Sequence, residues 1–566
     1  MRERARGRAT GGDVLLDGLR AWGVCHVFGC PDDGADGADG VDGLVSAWAR
    51  AGDDPCLVRA RREETAAFEA VGYAKFSGHV GICAASSTPG AVRLLRGLYD
   101  AKLDGVPVVA VVGTGRAPPA GPYRRDAAPT VDPRPALEEV ASASVETVAA
   151  PELLPDALDR AVRTAYARHA PTALVVPADV LEGICPVPGH TRGTRPPSLD
   201  ASPPAPVPDG GSLERAAALL DAGERVAILV GLGAKGAARE VQEVAERLGA
   251  GVGKAMLGLD ALSDELPYVT GAIGPLGTGP SYGLVKECDT LLAIGSHLPR
   301  ATFLPPYGQA RAVRIDSDPD PTALRYPYEI SLVGDAATTL RRLLPLLAPR
   351  ADHAWQERVA EDVLAWRTML ARRAASGFHE VNPEHVARAL DPLLPGDAMI
   401  TCDAGEVAAR YAGHLRLRHD MRATLSASLA GPGSAVPYAI GAKFAHPDRP
   451  SIALVDEGAL LTDGLSELPT AATYADEWTD PRLVVAVWNG SGPGMSDRPS
   501  PRPSTPAVSY AEFGRSLGLY GIGVSTPGEV EEAWRTALAA DRPTVLDFRT
   551  APAAGDRDTD GAPEGG

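Results

Sequence analysis

The sequence predicts an α/β protein of three domains, each a doubly wound parallel sheet. The first observation is length, because 566 residues exceed one ordinary hydrophobic core and domains of about 150 residues are the norm. The second is an alternation of short apolar runs with helix-length amphipathic segments, which is typical of parallel sheets covered by helices. The third is a proline-rich stretch that interrupts this alternation and indicates a linker.

Composition and charge restrict the class of protein. Hydrophobic residues make up 45% and charged residues 23%, as in globular proteins. The net charge of -18 repels a phosphate backbone, so we expect small-molecule chemistry and no nucleic acid partner. No apolar run reaches the about 18 residues needed to span a bilayer, and the basic start lacks the apolar stretch of a signal peptide. We therefore expect a cytoplasmic protein without a membrane partner, whose seven scattered cysteines stay reduced.

The alternation divides the chain into successive domains. Runs such as VPVVAVVG and TALVVPADV belong to the first, RVAILVGLGAKG and CDTLLAIGS to the second, and SIALVDEG and RLVVAVWNG to the third. The first and third domains share size and alternation but show no sequence repeat. The predicted ranges are a first domain at 12–185, a linker at 186–211, a central domain at 212–346, a helical connection at 347–379, a third domain at 380–550 and a disordered tail at 551–566.

Glu63 and Glu64 open a helix-like run in the first domain, within the segment VRARREETAAFEAVGYAKFSGHVGICAASSTPGAVRLLRGLYDAKLDGVPVVAVVG. By themselves they are explained by the helix dipole, which favours acidic residues in the first turn. Taken whole, the segment resembles the pyrimidine-binding domain of thiamine-diphosphate enzymes, especially pyruvate oxidases and acetolactate synthases. The resemblance implies that Glu63 is the catalytic glutamate, which exchanges a proton with the aminopyrimidine ring of the cofactor.

Two positions of this segment depart from the family pattern. The family's histidine before the catalytic glutamate is Arg62 here, and its Gly-Pro-Gly loop reads Thr88, Pro89 and Gly90. The resemblance implies that this loop binds the cofactor, where glycine lets the backbone approach closely and threonine takes more space. We therefore expect a pyrimidine-binding domain with an altered cofactor loop.

Glycines at strand ends mark the central domain, in the runs beginning Gly231-Leu-Gly233 and GAIGPLGTGPSYG, followed by RIDSDP and LVGDAATTL. Taken in order, these runs resemble the central domain of pyruvate oxidases, where they lie along the phosphates and ribose of FAD. Some family members keep this domain as a scaffold, so FAD binding and a scaffold role both stay open. The implied cofactor-binding residues are Gly231, Gly233, Gly274, Gly277, Asp316 and Asp335.

The third domain resembles the family's diphosphate-binding domain through Pro437-Tyr438-Ala-Ile-Gly441-Ala-Lys, an apolar strand and an acidic turn. The family holds magnesium against the diphosphate with Gly-Asp-Gly and a later Asn-Asn. Here the motifs read Asp456-Glu457-Gly458 and Asn489-Gly490, so a ligating asparagine is lost and a carboxylate is added beside the diphosphate. The implied metal set is Glu457, Asn489, Gly490 and Gly492, and the implied cofactor contacts are Pro432, in place of the family's wedging methionine, with Gly433, Asp456, Gly458 and Ala459.

Two other features have simple explanations. The Asp/Gly run PDDGADGADGVDG at 31–43 looks superficially like a calcium-binding repeat, but a single short copy indicates a flexible insertion. His26 and His297 are isolated beside apolar runs and are expected to be structural. Neither feature adds a metal site to the prediction.

Three hypotheses of function follow. The first, favoured because Glu63 is retained, is thiamine-diphosphate-dependent decarboxylation of a pyruvate-like 2-oxo acid, with transfer or oxidation of the resulting enamine. The second is a degenerate member that binds thiamine diphosphate and magnesium poorly and acts as a scaffold, a partner subunit or in chemistry without thiamine. The third is a nucleotide-binding protein that uses the central domain. The resemblance also implies a homodimer or tetramer, or pairing with an intact homologue.

Overall fold

The computed structural model of this chain describes residues 9–30, 42–115, 132–185, 206–296, 301–319, 326–375, 380–418, 420–490 and 508–551. These residues form three six-stranded sheets, which confirms the predicted fold class. They divide into two compact units. Unit 1 holds the described residues within Met1–Pro203, Ser428–Ser451 and Ala459–Leu483, and unit 2 holds those within Pro204–Ala427, Ile452–Gly458 and Val484–Gly566.

The first sheet lies in unit 1. Its strands are β1 (His26–Cys30), β2 (Cys56–Arg59), β3 (Gly81–Ala85), β4 (Val108–Thr114), β5 (Ser144–Thr147) and β6 (Thr172–Pro177). Its helices are α1 (Gly11–Ala21), α2 (Asp42–Ala51), α3 (Glu63–Ser77), α4 (Thr88–Asp104), α5 (Arg134–Val140), α6 (Leu154–Arg168) and α7 (Ala178–Glu182). The order is β2-β1-β3-β4-β6-β5 with parallel pairing. Because helices cover both faces, the central strands β3 and β4 are almost wholly buried and apolar.

The central sheet lies in unit 2. Its strands are β7 (Val226–Val230), β8 (Gly251–Lys254), β9 (Val269–Ala272), β10 (Thr290–Ile294), β11 (Arg311–Asp316) and β12 (Ile330–Val333). Its helices are α8 (Gly210–Asp221), α9 (Ala238–Leu248), α10 (Gly279–Glu287) and α11 (Ala336–Leu343), and α12 (Ala354–Ala375) follows it. The order β12-β11-β10-β7-β8-β9 is that of a dinucleotide-binding fold. Helix α8 begins at Gly210, inside the predicted linker, and α12 lies within the predicted helical connection.

The third sheet contains β13 (Met399–Cys402), β14 (Arg422–Leu425), β15 (Ser451–Asp456), β16 (Leu483–Trp488), β17 (Tyr520–Val524) and β18 (Thr544–Phe548). The accompanying helices are α13 (Pro383–Leu390), α14 (Glu406–His414), α15 (Ala435–Ala445), α16 (Glu457–Thr462), α17 (Leu468–Tyr474), α18 (Tyr510–Ser516) and α19 (Val530–Leu538). The order β14-β13-β15-β16-β18-β17 repeats that of the first sheet, strand for strand. The fold therefore contains a repeat that the sequence does not display.

Helices α3 and α15 cross within unit 1 at two glycines. A Cβ on Gly72 would lie 2.6 Å from the Cα of Tyr438, and a Cβ on Gly441 would lie 2.2 Å from the carbonyl oxygen of Glu69. Only glycine permits this backbone approach. The crossing fixes the first turn of α3 relative to the chain around α15.

The described residues contain no helix that is long and apolar enough to cross a bilayer. None of the seven cysteines forms a disulfide in this structure. Burial raises the pKa of the Cys83 thiol to about 12, so it behaves as a small apolar side chain.

Candidate functional site

Glu63 is the first residue of α3, where the chain leaves β2 through an extended Arg62. Its side chain is buried. The carboxylate oxygen Oε2 accepts a hydrogen bond of 3.2 Å from the Arg93 guanidinium on α4. Its other oxygen, Oε1, has no hydrogen-bond partner among the described residues. Glu63 therefore has one oxygen held by an arginine and one buried oxygen without a hydrogen-bond partner among the described residues.

The loop Thr88, Pro89 and Gly90 forms the first turn of α4, and Ser87 caps it by accepting a hydrogen bond from the Gly90 N–H at 3.3 Å. A Cβ on Gly90 would lie 2.6 Å from Glu63 Oε1. A side chain at this position would push the Glu63 carboxylate aside, so glycine leaves the carboxylate where it lies. Thr88 is half-buried and Pro89 is exposed, so the threonine causes no steric conflict within this turn.

Four charged side chains form a closed ring in unit 1, which we call the charge ring: Arg62, Glu64, Arg96 and Asp463. Arg62 donates to Asp463 Oδ1 at 2.8 Å and to Glu64 Oε2 at 3.0 Å. Arg96 donates to Glu64 Oε1 at 2.7 Å and also to Asp463 Oδ2. Each carboxylate thus bridges two guanidinium groups, which offsets the cost of burying Asp463. The sequence indicated Arg62 as a departure, but nothing in it indicated Arg96 or Asp463.

The residues after β14 are held by the same ring. Arg96 donates to the carbonyl oxygen of the exposed Pro432. Gly433 has a positive φ of 92°, and a Cβ there would lie 2.8 Å from the Cβ of Asp463. Ala459 is buried in α16. The predicted wedge position therefore carries a proline fixed by an arginine.

A pair of buried carboxyl groups, Glu69 and Glu467, also lies in unit 1. Glu467 accepts hydrogen bonds from the Arg61 N–H at 3.0 Å and from the Thr470 hydroxyl at 2.6 Å. Burial, together with the charge of Glu467, raises the pKa of Glu69 well above its ordinary value. The neutral form of Glu69 is therefore favoured more than that of an exposed glutamate, a feature that helical periodicity alone did not predict.

The predicted metal residues of unit 2 lie at the carboxyl ends of neighbouring strands in the third sheet. Glu457 opens α16, directly after β15, and its Oε1 accepts a hydrogen bond of 3.1 Å from the Tyr510 hydroxyl. Burial and the Glu457 charge raise the pKa of Tyr510, so this hydroxyl remains a donor. The sequence predicted Glu457, but not the tyrosine that holds it.

Asp456 ends β15 and points toward the start of α14, which follows the adjacent strand β13. Its Oδ2 accepts a hydrogen bond of 3.1 Å from the Val407 N–H. The residue before α14 is Gly405, with φ 127°, and a Cβ there would lie 2.7 Å from the same oxygen. Burial raises the pKa of Asp456, and its contacts with the N–H groups of Val407 and Glu406 oppose that rise. Asp456 thus places a carboxylate at this helix N-terminus, in addition to Glu406 in the first turn of α14.

Asn489 follows β16 and is already fixed by protein groups. Its Nδ2 donates to Asp547 Oδ1 at 2.8 Å and to the Val508 carbonyl oxygen at 3.0 Å. These contacts use both amide hydrogens and leave the side-chain oxygen to act as a ligand. A Cβ on Gly490 would lie 2.7 Å from Thr550 Oγ1, so the missing asparagine has no ready space. Gly492, the last predicted metal residue, lies outside the described residues.

The predicted flavin residues of the central domain contact protein. A Cβ on Gly231 would lie 2.3 Å from the Gly295 carbonyl oxygen, and a Cβ on Gly233 would lie 2.8 Å from the Gly295 Cα. These glycines permit the close approach of two strand ends. Three of the remaining predicted residues also contact protein: Gly277 packs against Gly274, Asp316 pairs with Arg314, and Asp335 caps α11 by accepting a hydrogen bond from the Thr338 N–H. At Gly274 itself, a Cβ would meet no atom within 4 Å.

The two predicted structural histidines have different outcomes. His26 packs against the rings of Tyr73 and Phe444, at centroid distances of 5.9 and 5.1 Å. Burial lowers its pKa, so it is neutral near pH 7, as expected of a structural histidine. His297 and residues 31–41 of the Asp/Gly run lie outside the described residues.

Comparison with known proteins gives three matching family models. The description "Thiamine pyrophosphate enzyme, N-terminal TPP binding domain" matches residues 9–132. The description "Thiamine pyrophosphate enzyme, central domain" matches residues 213–343. The description "Thiamine pyrophosphate enzyme, C-terminal TPP binding domain" matches residues 403–548.

Curated relatives cover most of the chain. YdaP of Bacillus subtilis, whose name describes it as thiamine pyrophosphate-containing, is 29% identical over 95% of this chain and 91% of its own length. The pyruvate oxidase of Lactiplantibacillus plantarum is 27% identical over 84% of this chain and 76% of its own length. The acetolactate synthase isozyme 2 large subunit of Escherichia coli is 27% identical over 95% of each chain.

Each unit, taken by itself, offers groups of the kind that thiamine diphosphate or magnesium binds, with one exception. In unit 1, Glu63 Oε1 and Gly90 suit a weakly basic ring. In unit 2, Glu457 and the oxygen of Asn489 suit magnesium, which accepts water at its other positions. Asp456 is the exception, because its carboxylate takes an N–H group that an anionic ligand at this sheet edge would use.

Proposed function

Because this chain belongs to the thiamine pyrophosphate enzyme family, we propose that it converts a pyruvate-like 2-oxo acid with thiamine diphosphate and magnesium. The reaction is decarboxylation followed by transfer or oxidation of the remaining fragment. The observation that carries the proposal is the buried Glu63 carboxylate, which has one oxygen anchored by Arg93 and the other without a partner among the described residues.

Each residue has a distinct role in this proposal. Arg93 orients the carboxylate of Glu63, Gly90 leaves room for it, and Glu63 accepts or donates a proton at Oε1. Glu457 holds magnesium, supported by Tyr510. Thiamine diphosphate, when bound, supplies the reactive carbon and the electron sink that decarboxylation requires. The chain itself positions groups and moves one proton.

A second candidate is a partner subunit or scaffold that binds the cofactor poorly. The position of Asp456 at the N-terminus of α14 favours it, because a second anion is repelled there. Pairing with an intact homologue would then supply catalysis. The first candidate remains preferred because a scaffold has no need of Glu63, whose buried oxygen lacks a partner among the described residues.

The experiment is a screen of 2-oxo acids for carbon dioxide release, with thiamine diphosphate and magnesium in excess. The Glu63→Gln variant is the matched control, and Glu152→Gln, an exposed glutamate of unit 1, controls for handling. We expect release by the wild type and by Glu152→Gln only. Absence of release with every substrate, at cofactor concentrations up to the millimolar range, rejects the enzyme proposal in favour of the second candidate.

For the central domain we propose a scaffold role rather than FAD binding, because Gly231 and Gly233 pack against the backbone of Gly295. The visible spectrum of the purified protein tests this: a yellow sample that releases flavin on denaturation contradicts it.

The proposal also includes a cytoplasmic homodimer or tetramer, the usual symmetric arrangement for such an enzyme. Light scattering of the purified protein measures its oligomeric state.

A further inference from the structure

The carboxyl edge of the third sheet has a topological switch point between β13 and β15, since β14 lies on one side and β16 on the other. In open parallel sheets, ligands bind at such points, outside the carboxyl ends of the strands. The helix that begins there is α14, and its N-terminal N–H groups attract anions. A diphosphate that binds at the switch point of this sheet would therefore lie at this edge.

Asp456 already occupies this edge. Its Oδ2 accepts a hydrogen bond of 3.1 Å from the Val407 N–H. A Cβ on Gly405 would lie 2.7 Å from the same oxygen. Gly405 offers no side-chain cap of its own, so the cap of α14 comes from Asp456. The family's motif has glycine at this position, which cannot supply a carboxylate.

The charged groups near Asp456 also oppose the binding of a diphosphate at this edge. Among the described residues, the neighbouring carboxyl groups in the chain are Asp403, just after β13, Glu406 on α14 and Glu457 on α16, and Arg410 supplies an opposing positive charge. Arg410 also pairs with Glu406 at 3.1 Å, so its charge is shared. An incoming diphosphate therefore meets an excess of negative charge.

We propose that Asp456 is an internal anion that occupies the diphosphate end of unit 2, so thiamine diphosphate binds only by displacing this carboxylate from the start of α14. This inference rests on the proposed function, because it concerns the affinity for the cofactor of that reaction. The role that this inference gives to Asp456 is to set the affinity for the cofactor.

The test is calorimetric titration of thiamine diphosphate with magnesium into the wild type, Asp456→Gly and Asp456→Asn. Asp541→Asn, an exposed aspartate of unit 2, is the control. We expect the dissociation constant to fall at least tenfold in Asp456→Gly and less in Asp456→Asn, which loses the charge but keeps the acceptor. Inorganic pyrophosphate with magnesium should follow the same order, and thiamine without phosphate should not.

Hydrogen exchange gives a readout that is independent of turnover. Without ligand, the Val407 amide should exchange faster in Asp456→Gly than in the wild type, and thiamine diphosphate should restore its protection. Equal affinity of the wild type and Asp456→Gly within twofold, or unchanged exchange at Val407, overturns the inference.

If the wild type binds tightly and turns over a 2-oxo acid, the proposed function survives that result. If Asp456→Gly binds tightly but neither protein turns over, the inference survives and the proposed function fails.

Discussion

The first and third sheets have the same strand order, but the carboxylates at their strand ends are placed differently. In unit 1, Glu63 is held by Arg93 through one oxygen, and its other oxygen has no partner among the described residues. In unit 2, Asp456 is engaged by the Val407 N–H, at a helix N-terminus that an anionic ligand would use. The same strand order thus holds a carboxylate with one unpartnered oxygen in one copy and a carboxylate that caps a helix in the other. A shared strand order therefore does not fix the role of the carboxylates at the strand ends.

The largest expected effect is the loss of turnover when the Glu63 carboxylate of unit 1 is replaced. Glu63→Gln removes the proton-exchanging group, so turnover of a 2-oxo acid should fall by about 10² to 10⁴-fold. The melting temperature should change little, because Gln preserves the volume and the acceptor for Arg93. Steady-state kinetics beside thermal melting separates the two effects. If Glu63→Gln keeps full turnover, Glu63 has no part in the mechanism. The first sheet would then present no catalytic carboxylate, and the contrast with the third sheet would disappear.

The charge ring gives the next largest effect, on stability. Asp463→Asn leaves Arg62 and Arg96 with one carboxylate between them, so we expect the free energy of unfolding to fall by about 2 kcal/mol, less than for a wholly buried pair. Urea denaturation measures it, with the exposed Asp476→Asn as control. If Asp463→Asn lowers the free energy of unfolding no more than Asp476→Asn does, the charge ring does not stabilise the fold.

The buried pair Glu69 and Glu467 predicts a pH dependence of stability. The pKa of Glu69 is raised in the folded state, so its stabilising contribution is complete below its unfolded pKa and is lost as pH rises through the folded pKa. Gln cannot ionise. The stability of Glu69→Gln relative to the wild type should therefore be greater at about pH 8 than at about pH 5. Equal differences at the two pH values would mean that Glu69 titrates normally.

The smallest effect concerns the lost metal ligand of unit 2. Gly490→Asn places a Cβ 2.7 Å from Thr550 Oγ1, so we expect destabilisation by about 1 kcal/mol. Adding Thr550→Ala should recover this loss and allow the asparagine to tighten magnesium binding, measured by titration. If Gly490→Asn alone is as stable as the wild type, Thr550 moves aside freely and does not exclude the asparagine.

The local sequence anticipated part of the candidate site in unit 1, whereas contacts between distant residues were not anticipated in either unit. Glu63 and Gly90 were predicted as site residues, and both take part in one contact, because a short segment contains them and the helix start fixes their direction. Arg96, Asp463, Tyr510 and Asp547 were not predicted. Their partners lie far away in sequence, 32 residues for Arg96 and Glu64 and 53 for Tyr510 and Glu457, so no local pattern could indicate them.

The sequence by itself determined the α/β class, the three sheets, the helix start at Glu63 and the identities of the altered motif residues. These follow from periodicity and from neighbours in the chain, which act at short range. Only the tertiary structure decided that the first and third sheets share one strand order and that Asp456 caps α14. Strand order and the direction of a carboxylate depend on which distant segments become neighbours, and that is fixed by the burial of apolar faces against one another.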